Sequence, residues 1–155
     1  VARRRTRTRR ANVETTEDSF LSELLANLQD LAQHEVHIGM QGNAELAMIA
    51  GVHEYGSRKM NIPARSFIGT GKKKSATPIG KVVRGAITDV AHGRKSVSSL
   101  LSEVGETGKE KVIKNFDRIR TPPLSAIYAR RKSGRKLLVQ EQDLRDSIKY
   151  VIVRK

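Results

Sequence analysis

Hydrophobic residues recur along this chain at two spacings, and the spacings divide it into elements. Phe20, Leu21, Leu24, Leu25, Leu28, Leu31 and Ala32 fall on one helical stripe. Thr15 or Thr16 can cap that helix, with Glu14, Glu17 and Asp18 near its positive end, and it should run to about Gln33. Glu35 to Met40 alternates, with Val36, Ile38 and Met40 on one face, and reads as a short strand. Helical spacing returns at Leu46, Ile49, Ala50 and His53, with Asn43 as N-cap and Gly56 placed to end the helix in a left-handed turn. A basic turn, Ser57-Arg58-Lys59, follows, and Pro63 is placed to open a new helix at its first position.

The second half is mostly helical in pattern. Thr77-Pro78 reads as a cap with Pro at the first helical position, so a break is expected near Ser75 to Pro78. The helix after it uses Ile79, Val82, Val83, Ala86, Ile87 and Val90, and His92-Gly93 closes it. Ser96 can cap the next, with Val97, Leu100, Leu101, Val104, Lys111, Val112 and Phe116 on or beside one stripe. Gly105 and Gly108 either weaken the middle of that helix, by about 1 kcal/mol each relative to Ala, or permit a close contact with another helix. Pro122-Pro123-Leu124 is a stop and restart, with a short helix to about Arg131. A basic loop, Arg130 to Lys136, leads to Leu137-Leu138-Val139, and Asp143 to Ser147 reads as one helical turn or a cap. Ile148 to Lys155 alternates again and reads as a strand. Few strands with consecutive helices predict an α+β fold: a small, mostly antiparallel sheet packed with about four helices.

Composition narrows the function. The 155 residues suffice for one domain, expected over residues 13–155, behind a flexible basic arm at residues 1–12. With 37% apolar residues and six aromatics, the core is modest or is completed by neighbouring subunits. Cysteine is absent, which removes disulfides and thiolate metal sites. No apolar run approaches the ~18 residues of a membrane span. The Arg- and Thr-rich start lacks the apolar segment of a secretory signal.

Charge changes the picture most. The net charge is +14, unevenly spread. Arg3, Arg4, Arg5, Arg7, Arg9 and Arg10 crowd the arm without an acid. Residues 57–95 carry ten bases against the single acid Asp89. Such a chain suits nucleic acid, an acidic partner surface or an acidic interior lining. Catalytic chemistry is poorly provided for. His53-Glu54 opens like a zincin helix, but Ser57 stands where the second His is required. GTGKKKS is reminiscent of a phosphate-binding loop, but Ser66 stands where its first Gly belongs. His34 and His37 have no third metal ligand nearby. Adjacent residues on a helix diverge by about 100°, so His53 and Glu54 make no dyad by themselves. The expectation is a protein without an active site, metal or cofactor.

Four motifs occur in order: His53-Glu54-Tyr55-Gly56 after an Ala-rich stretch; Ile62-Pro63-Ala64-Arg65-Ser66-Phe67; Pro122-Pro123-Leu124 with Lys132 to Gly134; and Leu137 to Ile148. In this order they resemble the virion morphogenesis and tail-completion proteins of tailed bacteriophages. Glu141-Gln142-Asp143 departs from the Thr-Gly usual in that family, and the Arg arm lies outside its pattern. The resemblance implies a structural virion protein of the neck or tail, assembled in the host cytoplasm. It implies a homo-oligomeric ring, hexameric first and dodecameric second, between the connector or head-completion protein and the tail terminator or tube. Arg58, Lys59, Arg65, Arg130, Arg131 and Lys132, with the arm arginines, are the expected partner contacts. His53, Glu54, Tyr55, Gly56, Pro63, Phe67, Pro122, Pro123 and Leu124 are the expected structural landmarks. The alternative is a basic nucleic-acid-binding protein that contacts the genome through the Arg-rich arm.

Overall fold

The structure, a computed structural model, describes residues 21–131 and 143–155. The expected Thr15 or Thr16 cap, the arm, and the stretch from Lys132 to Gln142 lie outside the described residues. The fold is α+β. Helix α1 covers 21–32. It is followed by β1 (His34–Met40), α2 (Ala44–Tyr55), α3 (Ile68–Ala91), α4 (Val97–Arg118), α5 (Ala126–Arg131), α6 (Asp143–Asp146) and β2 (Ile148–Arg154).

The two strands pair antiparallel, from His34 opposite Arg154 to Met40 opposite Ile148. Period-2 alternation sends Val36, Ile38 and Met40 to the same face as their partners Ile152, Tyr150 and Ile148. A two-stranded sheet is marginal alone, and here α4 lies across that face. Val36 and Ile152 join a core of Ala86, Val90, Val97, Leu100 and Leu101, whereas Ile38 and Met40 join one of Ala50, Phe67, Val112, Phe116, Leu144 and Ile148. Helix α4 supplies residues to both clusters, packing on α3 with one side and on the sheet with the other.

That double contact explains the glycines of α4. A Cβ on Gly105 would stand 2.2 Å from the Tyr150 ring, and one on Gly108 would stand 2.3 Å from Ile38. The close contact expected of these positions is therefore made, against the sheet rather than another helix. The matching approach between helices is at Gly71 of α3, where a Cβ would lie 2.9 Å from the Val112 backbone. Helices α3 and α4 are joined by a tight turn: Gly93 takes φ 68°, and the Asp89 carbonyl accepts the N–H groups of Arg94 and Lys95.

Two sequence expectations are corrected. Pro63 does not open a helix; residues 57–62 form a small hairpin-like turn, residues 63–66 have no regular secondary structure, and α3 begins at Ile68. No break occurs at Pro78, which lies inside one helix of 24 residues. An internal Pro costs about 3 kcal/mol, and packing on α4 to either side of it offsets that cost: Gly71 and Ser75 are buried before Pro78, Ala86 and Val90 after it. Helix α1 uses its stripe only in part. Leu31 packs on the second core, and Leu21, Leu25 and Leu28 remain exposed. No described helix is long and apolar enough to cross a membrane.

Gly105→Ala should lower stability by about 1–2 kcal/mol, because overpacking exceeds the gain in helix propensity. Gly85→Ala adds its methyl in open space and should raise stability by about 0.5–1 kcal/mol. Thermal unfolding of the two variants checks the opposite signs.

Candidate functional site

The landmarks of the resemblance converge on the start of α3. Its N-cap residue, Phe67, offers no capping side chain. The first N–H groups of the helix therefore need a remote acceptor. Glu54, in the last turn of α2, provides it. The N–H groups of Phe67, Ile68 and Gly69 each donate to its carboxylate at 2.9 Å, and the Ser66 hydroxyl donates at 2.5 Å. A carboxylate at a helix N-terminus also interacts favourably with the helix dipole. Partial burial pushes the Glu54 pKa up, but the hydrogen bonds from Ser66, Gly69, Ile68 and Phe67 outweigh it and hold the group below its ordinary 4.5.

Helix α2 is placed for this by its own ends. Asn43 caps its start, accepting from the N–H groups of Glu45 and Leu46 at 2.9 and 3.2 Å. Gly56 ends it at φ 76°, and a Cβ there would lie 2.9 Å from Ala64 N and Ile62 O. Only glycine meets both conditions. The chain then turns back so that Arg65 N–H donates to the His53 carbonyl at 2.6 Å.

Arg65 ties this corner to the end of α4. Its guanidinium donates to the carbonyls of Pro122 and Pro123 at 2.9 and 3.0 Å. It is 5% exposed. The expectation that Arg65 reaches a partner is corrected: its fork is spent inside the molecule, on carbonyls 57 and 58 residues away. Between these contacts sits Phe67, 0% exposed and edge-on to Phe116 with ring centroids 5.1 Å apart. Asn115 completes the corner. Its amide donates to Phe67 O at 2.9 Å and to the Thr70 hydroxyl at 2.5 Å, and its oxygen accepts from Lys74 Nζ at 2.5 Å.

The outer side of this corner is exposed. Tyr55 is 85% exposed, and Arg58, Lys59 and Met60 stand out on the turn that Ser57 and Ile62 close with paired backbone hydrogen bonds of 2.8 and 2.9 Å. A shallow hollow of about 530 Å³ runs beneath the turn, lined by Tyr55, Gly56, Arg58, Asn61 and Pro63 among others. Pro63 is exposed, and Leu124 is half-buried. Ile127, Tyr128, Arg130 and Arg131 are exposed on α5, which follows Pro122-Pro123. Arg58, Lys59, Arg130 and Arg131 are thus on the surface as expected. Lys132 and the six arm arginines lie outside the described residues.

The Glu54 carboxylate faces the start of α3. Among the described residues no group of three or more His, Cys, Asp or Glu could hold a metal. Sequence reasoning missed the roles of Glu54, Asn115 and Lys74. The absence of a Ser, Thr, Asp or Asn immediately before Ile68 was the one local signal that a distant cap was needed. The chain matches no family model, no curated protein and no solved structure.

Glu54→Gln should lower stability by about 1–2 kcal/mol at neutral pH, the range for loss of a helix cap. Because the folded pKa of Glu54 is depressed, its contribution is fully present above the unfolded value near 4.5. It is lost as pH falls through the folded value. Urea unfolding from pH 7 down to pH 3 should therefore show the gap between wild type and Glu54→Gln closing below about pH 4.5. Arg65→Met should cost more, about 2–4 kcal/mol, since it leaves two carbonyls without their charged donor.

Proposed function

We propose that this protein is a structural subunit of the head–tail joint of a tailed phage. In this reading it is a neck or tail-completion component that assembles into a ring between the connector or head-completion protein and the tail terminator or tube. It would reside in the virion. The observation that carries the reading is the convergence of three of the four ordered motifs on one corner. Glu54, Arg65-Ser66-Phe67 and Pro122-Pro123 interlock through direct hydrogen bonds. The residues that first suggested chemistry are thereby given a bracing role.

The surface around that corner supports the same reading. Arg58, Lys59 and Met60 with Tyr55, and Ile127 with Arg130 and Arg131, are exposed side by side in sequence. Aromatic residues, Met and Arg are the types enriched in protein interfaces. A rigid base under such side chains lowers the cost of ordering them on association. Both faces of α1 would also be occupied in an assembly, its exposed Leu21, Leu25 and Leu28 included. A head-to-tail contact between copies closes into a ring when its rotation permits.

Electron microscopy of the purified chain, alone and mixed with the neighbouring neck proteins of its phage, tests the proposal. Rings are the expected result. Absence of the chain from purified virions would sink it. The charge reversal Arg58→Glu with Lys59→Glu should abolish assembly while leaving the melting temperature within about the shift of an ordinary surface change; intact assembly would remove the turn from the interface.

A further inference from the structure

The outer face of α3 carries a row that the assembly reading does not use. Lys73, Thr77, Lys81, Arg84 and Thr88 follow one another at spacings of three or four residues, so they form one line along the helix. All five are exposed. The line is about 22 Å long at 1.5 Å per residue. No acid occurs in α3 before Asp89. Among the described residues, none of the three cations forms an ion pair.

The neighbouring helix shows what a merely solvated charged face looks like in this protein. On α4, Glu103 meets Lys95 at 2.6 Å, Glu106 meets Lys109 at 3.0 Å and Glu110 meets Lys114 at 2.5 Å. Lys109 and Lys114 of that helix, and Lys95 just before it, are matched locally. The cations of the α3 row are left facing outward, and every side chain of the row can donate a hydrogen bond.

We propose that this row is a contact surface for the phosphate backbone of duplex nucleic acid, separate from the Arg-rich arm and independent of the ring reading. Lys, Arg and Thr are side chains that contact phosphate oxygens. A line of about 22 Å spans roughly six phosphates of one strand at 3.4 Å of axis each. An acidic protein is the poorer fit, because the row contains no large apolar side chain to anchor a protein interface. A single strand is also the poorer fit, because the row has no aromatic ring on which bases could stack. The contact would be blind to sequence.

The test uses the full chain and a labelled random-sequence duplex, with binding followed by fluorescence anisotropy over about 50–200 mM salt. Three variants are compared with wild type: Lys73→Gln with Lys81→Gln and Arg84→Gln; all six arm arginines changed to Gln; and Lys109→Gln with Lys114→Gln on α4. The α3 variant should flatten the slope of log affinity against log salt by roughly three, about one per lost phosphate contact. It should weaken binding by about tenfold or more at 0.1 M salt. The same loss should appear when it is made in the arm-neutralised chain, and the α4 variant should change the slope by less than one contact. Circular dichroism melting controls for folding, since all three α3 side chains are exposed. An unchanged slope, or no duplex binding by wild type, overturns the proposal. Unchanged duplex binding with loss of ring assembly would assign the face to a protein neighbour and overturn it equally.

Discussion

The start of α3 has no cap of its own, and much of the structure follows from how that need is met. Three backbone N–H groups there converge on the carboxylate of Glu54, at the end of another helix. An unsatisfied set of buried donors would cost several kcal/mol. Meeting them from α2 fixes where α2 must end and how the intervening chain must fold back. Gly56 supplies the backbone conformation that the fold-back needs. Arg65 then reaches the carbonyls after α4, so one corner joins α2, α3 and the exit of α4. The corner uses charged groups, yet Glu54 and Arg65 are directed mainly at backbone partners. Its strength therefore depends on geometry more than on a matched countercharge.

Helix α4 is the other organising element. It is buried on two sides, by α3 and by a sheet whose two strands come from opposite ends of the described chain. Small residues are required wherever that sandwich is thinnest, which places Gly71 against Val112 and Gly105 beneath Tyr150. A two-stranded sheet has no stability of its own to spare. It persists because its inward pairs, Val36 with Ile152 and Met40 with Ile148, are absorbed into the cores that α3 and α4 build.

Charge is sorted by element. Acids and bases neutralise one another along α4, whereas the outer row of α3 and the turn at Arg58-Lys59 present cations outward. A molecule with this distribution has a braced interior, an exposed turn carrying Tyr55 and Met60, and a separate basic helix face. The proposed role, a component that meets several neighbours at once, rests on those attributes.

Local patterns alone determined a good deal. The helix over 21–32, Asn43 and Gly56 at the ends of α2, Ser96 before α4, and the alternation of β1 and β2 are present where the residues indicate. Each depends on groups within about one turn or a few residues of one another, so the sequence carries the whole cause. The α+β class follows from the same patterns. What only the tertiary structure decided involves partners far apart in the chain. Pro78 looked like a helix start because the packing that carries α3 through it comes from α4. Arg65 looked like a surface cation because its acceptors, Pro122 and Pro123, stand 57 and 58 residues later. Glu54 read only as part of a structural landmark, with no acceptor role assigned, because the N–H groups that claim its carboxylate belong to another helix. A carboxylate or guanidinium has the same identity in the sequence whether it faces solvent, a partner or a backbone. Only the arrival of a distant segment sets which of these it meets.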